Sequence, residues 1–107
     1  MRNEHQLVLS MAGKILAPIA SSANYPSVVS KARDILAEVD KQISQITNQV
    51  QVGFLAQTRN SVAEVAATIV GAQLTKSGSA AVSSDPKNDK NVVEWAIKLA
   101  INVYESA

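Results

Sequence analysis

The sequence predicts an all-α fold, a four-helix bundle or helical hairpin with mainly antiparallel neighbours, and three observations carry that expectation. From Val29 onward, Ala32, Leu36, Val39, Ile43, Ile46 and Val50 follow steps of three and four residues, which makes the second helix heptad-patterned. The prolines Pro18, Pro26 and Pro86 stand where such helices would stop or start. The last stretch, Val92 to Tyr104, is apolar around most of its circumference.

The first helix is expected from Glu4 to Ala17. Val8, Ala12, Ile15, Leu16 and Ile19 share its apolar side, Asn3 offers an N-cap, and Glu4 suits the positive end of the helix dipole. The ring of Pro18 clashes with the carbonyl four residues earlier, so the helix stops or kinks there, and residues 20–25 read as a connector.

The second helix is expected from Ser27 to Gln51. A repeat of 3.5 residues keeps one seam turned toward a neighbour, while Lys31, Arg33, Asp34, Glu38, Asp40, Lys41 and Gln42 read as a solvated face. The seam serves either the chain's own bundle or a coiled coil with another copy. At Gly53 the pattern fails, which places a turn or kink near that residue, and residues 50–56 also admit a short extended piece.

A new phase through Leu55, Val62, Val65, Ala66, Ile69 and Leu74 predicts a third helix from Ala56 to Thr75. The small-residue stretch that follows reads as a flexible linker over about residues 76–85. Asp85 and Pro86 then supply an N-cap and a first-turn proline for a fourth helix, Pro86 to Glu105. Expected core positions are Leu16, Val29, Leu36, Val39, Ile43, Ile46, Val62, Ile69, Val93, Ala96, Leu99, Ala100 and Val103.

A chain of 107 residues with 47% apolar content suits one domain spanning 1–107, and at this size roughly 65% of the unfolded surface is buried on folding. The absence of cysteine excludes disulfides, thiolate zinc sites, iron–sulfur clusters and a cysteine nucleophile. Ten basic residues against nine acidic ones form no block able to neutralise many phosphates, so nucleic acid is not the expected partner. Lys14 interrupts the apolar stretch from Leu7 to Ala23, which argues against a signal peptide, and no run is long enough to span a membrane. The expected location is the cytoplasm.

Catalytic constellations are missing from the pattern. His5, the single imidazole, lies near the N-terminus without further ligands, and Asp34, Glu38 and Lys41 have the spacing of surface charge pairs. The glycines Gly13, Gly53, Gly71 and Gly78 are scattered and build no phosphate loop. Neither an enzyme nor a cofactor is expected.

One stretch, residues 61–76, faintly resembles a degenerate helix-turn-helix with Gly71 at its turn, and a small DNA-binding regulator is the alternative function it implies. The primary expectation comes from the fourth helix, whose polar stripe of Asn91, Glu94, Lys98, Asn102 and Glu105 is too narrow for a helix exposed on one side. It predicts a non-enzymatic, oligomerising structural or adaptor protein that pairs with itself and admits another protein as a further partner. The expected interface residues are Val92, Trp95, Ile97, Ile101 and Tyr104.

Overall fold

The computed structural model describes residues 3–22, 24–77 and 84–106, and within them every regular element is helical. Helix α1 spans Asn3–Leu16, followed by a 3-10 segment over Ala17–Ser22; α2 spans Tyr25–Ser44, α3 Gln49–Gln57, α4 Arg59–Ser77 and α5 Pro86–Ser106. The expected all-α fold is present, with five α-helices instead of four.

The additional helix arises because the second expected helix ends early. Gln45 caps α2, its N–H bonding to the carbonyl of Gln42 while the N–H of Ile46 bonds to that of Ile43. Asn48 then restarts the chain, its side chain accepting the N–H of Gln51 at 3.1 Å. Gly53 neither turns nor kinks the chain; it lies exposed inside α3, and residues 49–57 contain no extended piece. The actual second break is at Thr58, whose N–H and hydroxyl both bond to the carbonyl of Phe54.

Other termini follow the expected chemistry. Asp85 accepts the N–H of Asn88 at 3.2 Å and starts α5 with Pro86. Pro18 falls just past the end of α1, in the 3-10 segment, where Ile19 departs from helical geometry. Asn24 caps α2 through the N–H of Ser27 at 3.2 Å. Of the expected linker, residues 78–83 lie outside the described residues, and 76–77 still belong to α4.

Helix α4 is the hub, in contact with every other helix, whereas α1 and α5 pack on it from different sides and do not meet among the described residues. Its buried side chains are small: Ala63, Ala66, Ala67, Val62 and Val70, with Gly71. Small residues let several backbones approach one helix closely, so its apolar pattern runs around the axis instead of forming one stripe. Ser10 against Glu64 and Lys14 against Gly71 show α1 and α4 running in the same sense, while Gln73 against Asn88, with Tyr104 against Phe54 just before α4 begins, shows α5 running opposite to α4. The parallel pair is possible because α2 carries the chain back between them.

The core joins Met11 and Ile15 of α1, Val28, Ile35 and Val39 of α2, Leu55 of α3, the α4 residues, and Val92 and Val93 of α5. Among the expected core positions, Leu36, Val39, Val62, Val93 and Ala96 are buried. Leu16, Ile43, Ile46, Ile69 and Ala100 pack half-buried against them. Val29, Leu99 and Val103 are instead exposed. For Val29 the cause is a rotated face: α2 packs against α1, α4 and α5 through Val28, Lys31, Ala32, Ile35, Leu36 and Val39, a wider face than the narrow seam. Leu99 and Val103 lie toward the C-terminal end of α5, where no described helix covers the side that buries Val92 nearer its start.

Candidate functional site

The exposed side of α5 is the feature that packing within the chain does not explain. Trp95, Leu99 and Val103 form one row at four-residue spacing and keep 49%, 54% and 59% of their surface accessible. Helix geometry accounts for the row: side chains four apart stand one above the other, and Val93, Ala96 and Ile97 take the face turned to the core, while Val92 lies on the row's side but is buried near the start of the helix. Asn91, Lys98 and Asn102 border the row on its polar side.

On its other side the row runs into a groove between α3 and α5 of about 480 Å³, lined by Val50, Gly53, Phe54, Gln57, Thr58, Val103 and Tyr104. The rings of Phe54 and Tyr104 meet edge to face with centroids 4.6 Å apart and form its inner wall. Tyr104 remains 43% exposed and Val50 61%.

Of the five expected interface residues, the structure brings Trp95 and Tyr104 to the surface. Ile101 is half-buried, while Val92 and Ile97 are buried in the chain's own core. Leu99, Val103 and Val50 were missed as surface residues. The available signal was the four-residue spacing of Trp95, Leu99 and Val103, which defines one row on a helix.

Several polar side chains elsewhere join helices. Lys31, expected on the solvated face, is buried with Asp89, each only 5% exposed, and their charged groups meet at 3.1 Å between α2 and α5. Burial pushes the Asp89 carboxyl above its ordinary range, against the opposing pull of the Lys31 ammonium. The long stem of Lys31 explains the misreading, since its head reaches inward from the border of the apolar face.

Arg59 donates to both oxygens of Asp40 at 2.8 and 2.9 Å, and the hydrogen bonds to that carboxylate hold its guanidinium pKa above the ordinary value. Glu64 accepts the hydroxyl of Ser10 at 2.5 Å and lies 3.6 Å from Lys14, whose ammonium also donates to Ser10. This triad clasps α1 to α4 with its serine proton and lysine charge already engaged. Gln73 and Asn88 exchange amide hydrogen bonds at 3.2 and 2.8 Å and join α4 to α5.

Several sequence expectations concern these residues. The stretch 61–76 lies within the single helix α4, with Gly71 packed against α1, so the expected turn of a helix-turn-helix is not formed. Arg59, two residues before that stretch, is bound to Asp40. His5 is exposed on α1, and among the described residues no group of three or more His, Cys, Asp or Glu side chains is placed to hold a metal ion. Nor is any described helix long and apolar enough to cross a membrane. Comparison of the chain with protein-family models, curated proteins and solved structures finds no match.

Proposed function

We propose that this chain is a non-enzymatic helical module that associates with a second copy of itself through the exposed row of α5. The observation that carries the reading is the accessibility of Trp95, Leu99 and Val103 on one helix that presents its other face to the core. Large aromatic and aliphatic side chains concentrated at the centre of a polar rim are the composition of an interface core.

Area supports a second copy as the occupant. At the exposures of Trp95, Leu99, Val103 and Tyr104, each copy leaves roughly 400 Å² of apolar surface uncovered. Interfaces are about 57% non-polar, so two such faces correspond to about 1,400 Å² in total, inside the usual range of about 1,200–2,000 Å². A helix face can also meet its own copy about a two-fold axis without any further complementary surface.

Mass in solution tests the proposal. Sedimentation equilibrium over micromolar to hundred-micromolar concentrations is expected to give a monomer–dimer equilibrium, shifted to monomer by Leu99→Asp while the helical circular dichroism is retained. A wild-type chain that stays monomeric throughout that range overturns it.

A further inference from the structure

We infer that each copy in this pair inserts the indole of Trp95 into the α3–α5 groove of the other. The inference rests on the self-association proposed above and specifies its geometry. Trp95 and Val103 lie four residues to either side of Leu99. Two α5 helices paired antiparallel about a two-fold axis perpendicular to them at Leu99 set Trp95 of each copy against Val103 of the other. Rows of four-residue spacing interlock when helices cross at about 50°. Val103 is also the lip of the groove, so the same symmetry that pairs the leucines delivers the indole to its mouth.

The groove suits an apolar ring. Its volume of about 480 Å³ falls within the roughly 300–1,000 Å³ of pockets that hold small ring systems. Gly53 contributes no side chain there, and a Cβ added at that position would meet nothing within 4 Å. Phe54 and Tyr104 offer aromatic edges and faces to an incoming indole. Its polar side-chain groups are those of Gln57 and Thr58 and the hydroxyl of Tyr104, and Thr58 already spends its hydroxyl on the carbonyl of Phe54. A polar ligand would have few groups to fix its orientation, whereas a tryptophan needs none beyond its own helix. Reciprocal insertion also closes the assembly at two copies, because each groove is filled by the copy whose groove is filled in return.

The chain's single tryptophan and lack of cysteine make the geometry measurable. On raising wild-type concentration, Trp95 emission should shift to the blue and its quenching by acrylamide should fall several-fold, in step with dimer formation by sedimentation. Gly53→Glu, which places volume and charge in an otherwise open part of the groove, should weaken dimerisation tenfold or more with helical content unchanged. Gly13→Ala, in open space on α1, should leave it unaltered. Leu99→Cys should form an intermolecular disulfide under mild oxidant.

If the wild type dimerises but Gly53→Glu changes neither the dissociation constant nor Trp95 quenching, the groove insertion is overturned while pairing through α5 stands. Failure of a dimeric Leu99→Cys to cross-link, or growth of the wild type beyond two copies, likewise overturns the reciprocal arrangement. A wild type that never dimerises overturns both proposals.

Discussion

The carbonyl oxygen of Lys14 fills the space that a Cβ on Gly71 would need, and Cγ of Pro18 stands 3.4 Å from the same point. Helices α1 and α4 therefore touch backbone to backbone at that crossing. Gly71→Ala must separate them, at a cost of about 1–3 kcal/mol for overpacking, offset in part by about 1 kcal/mol of improved helix propensity. The net expectation is a lower urea midpoint. Gly13→Ala, where the added methyl meets nothing within 4 Å, should instead raise the midpoint, by about 0.5–1 kcal/mol in stability. Equal and stabilising effects at both positions would show that the close approach is absent in solution.

The buried pair of Lys31 and Asp89 predicts an asymmetry between single and double replacement. Lys31→Met leaves the Asp89 carboxylate buried without its cation, and breaking a buried pair in this way costs about 3–5 kcal/mol. Replacing both, as Lys31→Met with Asp89→Leu, removes the desolvation of two charges and should return stability to within about 1 kcal/mol of the wild type. Denaturant unfolding of the two singles and the double forms the required cycle. A double variant as unstable as the singles would mean that the pair contributes net stability.

The direction of the Asp89 shift fixes a pH dependence. Burial raises this carboxyl above its ordinary value in the folded chain, so between the unfolded and folded values the folded state holds more proton than the unfolded one. Stability attributable to Asp89 is therefore greatest below the ordinary aspartate range, falls as pH rises through the window up to the raised value, and is constant above it. Relative to Asp89→Asn, the wild type should lose melting temperature as pH rises from the ordinary aspartate value of about 3.9 through the raised one. A relative gain over that interval would mean that the ion pair outweighs the cost of burial.

Much of the architecture was legible because the relevant signals are local. Asp85 with Pro86 marks the start of α5, and Pro18 marks the end of α1, since capping and proline geometry act within one turn. The α2–α3 break escaped because Val50 continues the heptad rhythm across a chain that has already ended one helix at Ser44 and begun another at Gln49. Periodicity records which residues are apolar and does not record whether the backbone between them is continuous. Gly71 was misread for a related reason: a turn and a close helix crossing both favour a residue without a side chain, and only the position of α1 separates them.

The candidate surface was half legible. The greasy circumference of α5 predicted an uncovered face, and Trp95 and Tyr104 do reach the surface. Which apolar residues form that face depends on where α2 and α4 lie against α5, a relationship set by long-range packing. Ile97 thus falls on the covered side, whereas Val92 shares a side with Leu99 and Val103 and is buried because it lies nearer the start of α5, where neighbouring helices cover that side. The inward turn of Lys31 likewise depends on Asp89, a residue 58 positions away.

The Asn48 cap carries the last expectation, because it opposes a heptad pattern that would otherwise extend α2. Its side chain satisfies the N–H of Gln51, and its carbonyl accepts the N–H of Val52 at 2.9 Å, which fixes where α3 begins. Asn48→Ala removes the side-chain acceptor and should cost about 1 kcal/mol, whereas Asn48→Asp and Asn48→Ser should cost little. The start of α3 also positions Val50 and Phe54 in the groove facing α5. Amide exchange at Gln51 and Val52 should therefore accelerate in Asn48→Ala, and Trp95-dependent dimerisation should weaken more than in the two capping variants. If all three variants behaved alike, the boundary between α2 and α3 would be held by the packing of Leu55 and Ile46 instead of by its cap.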